Sequence, residues 1–169
     1  TVIITRSNKR ANQYNTEIRN RILFREEKIN AGDYLMVVKN NYFWLEEDNE
    51  AGFLANGDII ELMSIQKTEE MYGFHFADVT IRLVDYPNAK EVEIKVILDS
   101  LDVEAPAMSF AENNRLYNAV MEDYADIPQK GKRLEKVKAN PYFNAVQIKF
   151  AYALTCHKTQ GGQWHTVFV

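Results

Sequence analysis

The sequence predicts an α/β domain interrupted by an all-β insertion, and three patterns carry that expectation. A short β-branched run, Val2-Ile3-Ile4, leads into residues whose apolar positions fall at helical spacing. The middle of the chain, from Ala31 to Ala105, is dense in strand formers and turn residues, and Ala145 to Leu154 is a largely apolar run. A strand and helix, then antiparallel strands, then a helix and a buried strand is the order expected of an α/β sheet that carries an inserted barrel.

Val2 to Ile4 favours a strand because branching at Cβ stiffens the side chain. Ala11, Tyr14, Ile18 and Ile22 then recur at the period of one helix face. Ser7 or Asn8 is placed to cap that helix by accepting from a free backbone N–H, and Arg10, Arg19, Arg21 and Arg25 make its polar face basic. Gly32-Asp33 is turn chemistry, Tyr34 to Val38 is rich in strand formers, and Asn56-Gly57-Asp58 is a tight-turn signal ahead of Ile59 to Ile65. Val79 to Val84 and Val92 to Leu98 alternate around the turn Tyr86-Pro87-Asn88, so this block reads as a small barrel. The large aromatics Tyr42 and Trp44 are expected to help fill it. His75, between Phe74 and Phe76, reads as a strand residue, and the acidic Glu46 to Glu50 as a solvated loop tip that would repel DNA.

After Pro106, Phe110, Leu116, Val120 and Tyr124 share a helix face, with Ser109 and Glu112 spaced as a capping box. Ile127-Pro128 ends that helix. Gln129 to Lys138, with Lys130, Lys132, Arg133, Lys136 and Lys138, reads as a basic, solvated connection. Ala145 to Leu154 has the unbroken apolar character of a strand buried on both faces of a parallel sheet; a turn and a helix start should follow. Val167-Phe168-Val169 reads as a strand in mid-course, and with the absence of an initial Met it leads us to expect a piece of a longer chain. The expected organisation is residues 1–30 and 106–169 as two parts of one α/β domain, with residues 31–105 inserted between them.

Twenty Lys and Arg against twenty-four Asp and Glu give a net charge of −4, so no overall basic field announces nucleic acid, and any polyanion must be held locally. A hydrophobic fraction of 46% with 26% charged residues excludes a disordered chain. One cysteine, Cys156, allows no internal disulfide and fits a reducing cytoplasm. No run is long and apolar enough to span a membrane, and the first residues lack the pattern of a signal peptide.

Chemistry concentrates in Tyr152-Ala153-Leu154-Thr155-Cys156-His157-Lys158-Thr159-Gln160-Gly161-Gly162-Gln163-Trp164, at the end of the apolar run. Ligands of open α/β sheets sit at the carboxyl ends of strands, where helix N-termini offer free N–H groups. Five polar donors and two glycines in one loop read equally as a ligand loop and as a polar turn capping a helix. Cys156-His157 with His165 lacks the paired spacing of a zinc site, and no metal site is expected. No glycine-rich phosphate cradle is present: Lys158-Thr159 lacks the preceding glycines, and Gly131-Lys132 is followed by Arg133.

The string from Tyr152 to Trp164 resembles motif V of RecD-like superfamily 1 DNA helicases of the 5′-to-3′ type, the family of the exodeoxyribonuclease V alpha subunit. Asn140-Pro141-Tyr142-Phe143-Asn144-Ala145 is similar to the lead-in to that motif, and Thr5 to Asn15 to its motif IV strand and helix. Gly32 to Tyr42 and Phe53 to Asp58 are similar to an SH3-like insertion. The resemblance implies the second motor domain of a RecA-like P-loop NTPase, incomplete here, with a small SH3-like β-barrel inserted.

On that resemblance, Thr155, His157 and Lys158 face single-stranded DNA, and Gln160, Gly161 and Gln163 approach ATP or relay its state. Gln163 stands where many relatives carry Glu; it can hydrogen-bond a ribose hydroxyl but brings no charge. Arg6 falls where an arginine reaches the γ-phosphate, as arginine fingers do, with Lys9 and Arg10 as alternatives. Asn41 and Tyr42, with Trp44, are the barrel's candidate DNA contacts, since aromatic faces stack on any base. ATP and Mg2+ would serve the full-length parent. The partners implied are single-stranded DNA, the missing first motor domain of the same chain and other exonuclease V-type subunits, with no membrane. The segment itself, without the phosphate cradle or the family's later arginine motif, is expected to hydrolyse no ATP. The alternative is a stand-alone single-stranded nucleic-acid-binding module without a motor; a purely structural interaction domain is a third reading.

Overall fold

In the computed structural model, which describes residues 1–169, the chain runs β1 (Val2–Thr5), α1 (Asn8–Glu17), β2 (Tyr34–Val37), β3 (Ile59–Met71), β4 (Phe74–Leu83), β5 (Val92–Ile97), α2 (Phe110–Glu122), α3 (Lys130–Lys138), β6 (Val146–Phe150), β7 (Ala153–Thr155) and β8 (Val167–Phe168). Strands β2-β3-β4-β5-β6 close a barrel, and β7-β1-β8 form a three-stranded sheet beside it. Both pairings within that sheet are parallel.

This corrects the expected fold class. A small, mostly-β domain forms, with three short helices and a minor parallel sheet, and not a RecA-like α/β fold. The reason lies in the apolar run from Ala145 to Leu154, which breaks at Ala151-Tyr152 and serves two sheets. Its first half is β6, antiparallel to β2 with Val37 opposite Ile148, and parallel to β5 with Val96 opposite Val146. Only Ala153–Thr155 is left for the parallel sheet. The run is buried on both faces as expected, but the faces are a barrel lumen and a covering connection. Val146 and Ile148 join Leu35, Leu62, Ile81 and Ile94 inside. Gln147, on the outer face, accepts from the Met108 N–H at 3.1 Å and donates to Asn113 at 2.8 Å.

Local chemistry explains the barrel's corners. Asn56-Gly57-Asp58 turns as predicted, with Gly57 at φ +104° and the Asp58 carboxylate accepting from the Ala55 N–H at 2.8 Å. The longest hairpin, β3 to β4, reverses at Tyr72-Gly73, whose φ values of +56° and +74° are those of a two-residue turn with the same twist as its strands. The Ser109–Glu112 capping box is present, and Leu116 and Val120 of α2 pack with Val137 of α3 over Phe74, Phe76 and Ile97.

Two helix expectations are also corrected. Gln129 to Lys138 is not a connection: Lys130–Lys138 is helical because fully buried Val137 anchors it while its lysines stay in water. On α1 the buried positions are Ala11 and Asn15, continued by Arg19 in a wider π turn, whereas Tyr14 and Ile22 are 47% and 66% exposed. The helix packs on polar ground, where Asp33, fully buried, must be neutralised. Arg19 reaches its two carboxylate oxygens at 3.2 and 3.1 Å, Arg25 lies 2.6 Å away, and the Tyr152 hydroxyl donates to it at 2.8 Å. Burial pushes the Tyr152 phenol up to about 12, and Asp33 adds to the effect.

Lys149 is buried on the outer face of β6, and its ammonium donates only to the Val103 carbonyl. Burial pushes its pKa down to about 8, against a small opposing pull from Asp102. A lysine depressed in the folded state costs stability while it is charged, and that cost fades as pH rises from about 8 towards the unfolded value of 10.5. Lys149→Met should therefore resist urea better than the parent at pH 7, with the difference shrinking towards pH 10. A constant difference across that range would refute the assignment.

Candidate nucleic-acid interface

The strand order sets where the loop after β7 emerges. Thr155 lies opposite Thr5, so Arg6 and Cys156 leave the same edge of the sheet, with the Cys156 Sγ 3.4 Å from the Thr5 carbonyl oxygen. Thr5 Oγ1 donates to the Ser7 carbonyl at 3.0 Å, and Ser7 caps α1 by accepting from the Arg10 N–H at 3.3 Å. Cys156–Thr159 makes one short 3-10 turn, fastened by Thr159 Oγ1 on the Cys156 carbonyl at 2.8 Å. The expected helix does not follow it. The chain instead passes Gly161 at φ +79° and returns as β8 along β1. The loop therefore has no long helix dipole behind it, and its donors act individually. A Cβ at Gly162 would collide with the Trp164 ring, so the glycine lets the indole lie against the loop.

His157, Lys158, Gln160, Gly161 and Gln163 line a cleft of about 720 Å³. Its opposite wall is the barrel, through Tyr34, Asn56, Ile59 and Asp85. Lys158 spans the cleft, its ammonium donating to Asn56 Oδ1, and burial lowers its pKa. Thr155 is buried and lines a crevice against α1, and Arg6 is exposed with no carboxylate partner at the neighbouring edge; neither lines the cleft.

Asn41 and Tyr42 belong to a separate groove of about 420 Å³, together with Lys39, Phe43, Lys138 and Phe143. Asn41 is occupied structurally: its amide donates to the Asn144 carbonyl at 2.7 Å and accepts from the Phe43 N–H at 3.1 Å. Trp44 packs on the barrel core and donates to the Asn144 carbonyl at 2.8 Å, as expected of a core aromatic. Tyr42 does not fill the barrel; it is 70% exposed and stacked on Phe53 with centroids 4.6 Å apart.

Charge is segregated over the surface. The groove is lined by two lysines and no carboxylate, and the cleft by Lys158 and a single carboxylate, Asp85. The acids gather elsewhere, where Glu27, Glu69, Glu70, Asp99 and Asp102 surround a third hollow. The linings of the cleft and the groove are thus less acidic than the net charge of −4 alone would suggest. No three His, Cys, Asp or Glu side chains gather to hold a metal ion, and no helix is long and apolar enough to cross a membrane.

Reasoning from sequence found one wall of the cleft and missed the other. Asn56 and Tyr34 gave signals only as turn and strand residues of the barrel, and Asp85 gave none. No protein-family model matches the sequence, and the comparison with curated proteins finds no match either.

Proposed function

We propose that this chain is the single-strand grip of an ATP-dependent DNA helicase or translocase, and that it turns over no ATP alone. The observation that carries the reading is the cleft in which His157, Lys158, Gln160 and Gln163 face the barrel across a gap of about 720 Å³. Short polar donors on one wall and aromatic and amide groups on the other suit a sugar-phosphate strand. Gln160, Gly161 and Gln163 contribute at most one wall of a nucleotide site, so ATP and Mg2+ would be held by the rest of the parent. Further subsunits would join if that parent is an exonuclease V-type enzyme.

A stand-alone single-strand-binding module makes the same contacts without a motor, and the carboxylate-free groove beside Tyr42 favours it as the second reading. Fluorescence anisotropy with labelled oligothymidylate tests what the two share. Binding should be weak and should fall between about 50 and 200 mM salt as counterions are released. Lys158→Ala should lower the slope of log affinity against log salt by about 0.7, the share of one phosphate contact on a single strand. Salt-independent binding, or parental binding by both Lys158→Ala and His157→Ala, would remove the cleft from the function. ATP turnover by the chain alone would overturn the grip-only account, and restored unwinding on addition of the parent's remaining domains favours the motor reading over the module.

A further inference from the structure

We infer that the groove beside Tyr42 is a base-stacking tract, and that one strand of nucleic acid runs continuously from the cleft into it. The inference rests on the cleft being a strand-binding site and extends that site across the barrel.

Three independent features point this way. The first is the aromatic surface. Tyr42 is 70% exposed and Phe43 40% exposed, yet both rings are held: Tyr42 is stacked on Phe53 at 4.6 Å, and Phe43 is set edge-on to Trp44 at 4.9 Å. The outer face of a fixed ring is a surface on which any base can stack, at little cost in side-chain entropy.

The second is charge. Lys39 and Lys138 line the groove with no acid among its walls, and Lys138 ends α3, whose Lys130, Lys132 and Lys136 are exposed. Cations set beside exposed rings, as Lys39 and Lys138 are here, suit a phosphate backbone whose bases stack. An acidic peptide could satisfy the lysines, but only its occasional aromatic side chains would engage Tyr42 and Phe43, whereas every nucleotide of a strand brings a base.

The third is continuity. Asn40, in the groove, accepts from the Asn56 N–H at 2.8 Å, and Asn56, in the cleft, accepts from the Lys158 ammonium. The two hollows share no residue but are joined through this hydrogen-bonded seam.

The chain's two tryptophans make the test direct, because Trp164 lines the cleft and Trp44 abuts the groove through Phe43. Trp44→Phe and Trp164→Phe give single-tryptophan proteins, each titrated with oligothymidylate of about twelve nucleotides, within the footprint of small single-strand-binding barrels. One bound strand should quench both reporters with the same midpoint. Tyr42→Ala, made at an exposed position and checked by an unchanged melting temperature, should weaken binding about tenfold and remove the Trp44 response while Trp164 still quenches. Quenching of Trp164 alone, with parental affinity in both Tyr42→Ala and Lys138→Glu, would defeat the tract and leave the cleft standing. Two strands bound per chain would defeat continuity. No response from Trp164 would defeat the cleft itself, and quenching of Trp44 by polyglutamate but not by the oligonucleotide would assign the groove to an acidic protein segment.

Discussion

Asp33→Ala is expected to destabilise the chain by about 3–5 kcal/mol, the cost of stranding buried charge by deleting its partner. Asp33 is fully buried, and removing it leaves Arg19, itself buried, without its counter-charge and Arg25 without a partner 2.6 Å away. The carboxylate also accepts from the Asn30 N–H at 2.7 Å and from the Tyr152 hydroxyl at 2.8 Å, so two further groups lose a bond. For a chain of this size the melting temperature should fall by about 6–20 °C, and a fall under about 2 °C would show that the network contributes little. Arg19→Met in the Asp33→Ala background should recover part of the loss, because an apolar side chain over the Phe150 ring, which the guanidinium now covers at 4.3 Å, removes the more deeply buried of the two stranded charges. The network has an alkaline limit as well. Tyr152 is held protonated up to about 12, so its share of stability is present below the unfolded phenol value of 10 and is lost as pH climbs from there through about 12.

What the sequence made legible was local, and what it hid depended on partners far along the chain. The turn at Asn56-Gly57-Asp58, the capping box at Ser109 and Glu112 and the strands on either side of Tyr86-Pro87-Asn88 are each decided by a few neighbouring residues. The apolar run from Ala145 to Leu154 was visible as buried strand, but nothing within it says that Ile148 pairs with Val37 and Leu154 with Ile4. That one ambiguity separates an α/β sheet from a closed barrel. Helix α1 misled for a related reason: its helical spacing was real, but Asn15 and Arg19 face the core because Asp33 and the strand crossing wait there, and the apolar period pointed to Tyr14 and Ile22 instead. The site divides in the same way. The donors after Thr155 are consecutive and legible, while Asn56, the partner of Lys158, lies 102 residues away.

Asn15→Leu should cost about 3 kcal/mol and should weaken single-strand binding with it, because Asn15 fastens the point where the chain leaves the barrel for the sheet. Its Nδ2 donates to the Phe150 carbonyl at 3.1 Å and the Ala153 carbonyl at 3.0 Å, and its Oδ1 accepts from the Ala153 N–H at 2.7 Å. Leucine is close in size but satisfies none of these groups, and each buried backbone group left unpaired costs about 1–3 kcal/mol. Asn15→Asp keeps the acceptor for the Ala153 N–H but sets a buried, unpaired carboxylate against the Phe150 and Ala153 carbonyls, so at pH 7 it should cost at least as much as leucine. Urea titration measures the stability loss. Anisotropy with oligothymidylate, run where the variant is still folded, measures the consequence for binding: β7 is three residues long and leads directly into His157 and Lys158, so loosening its first residue should blur the cleft wall. A leucine variant as stable as the parent would show that the crossing is held by strand pairing alone, and one that is destabilised yet binds DNA normally would separate the crossing from the cleft.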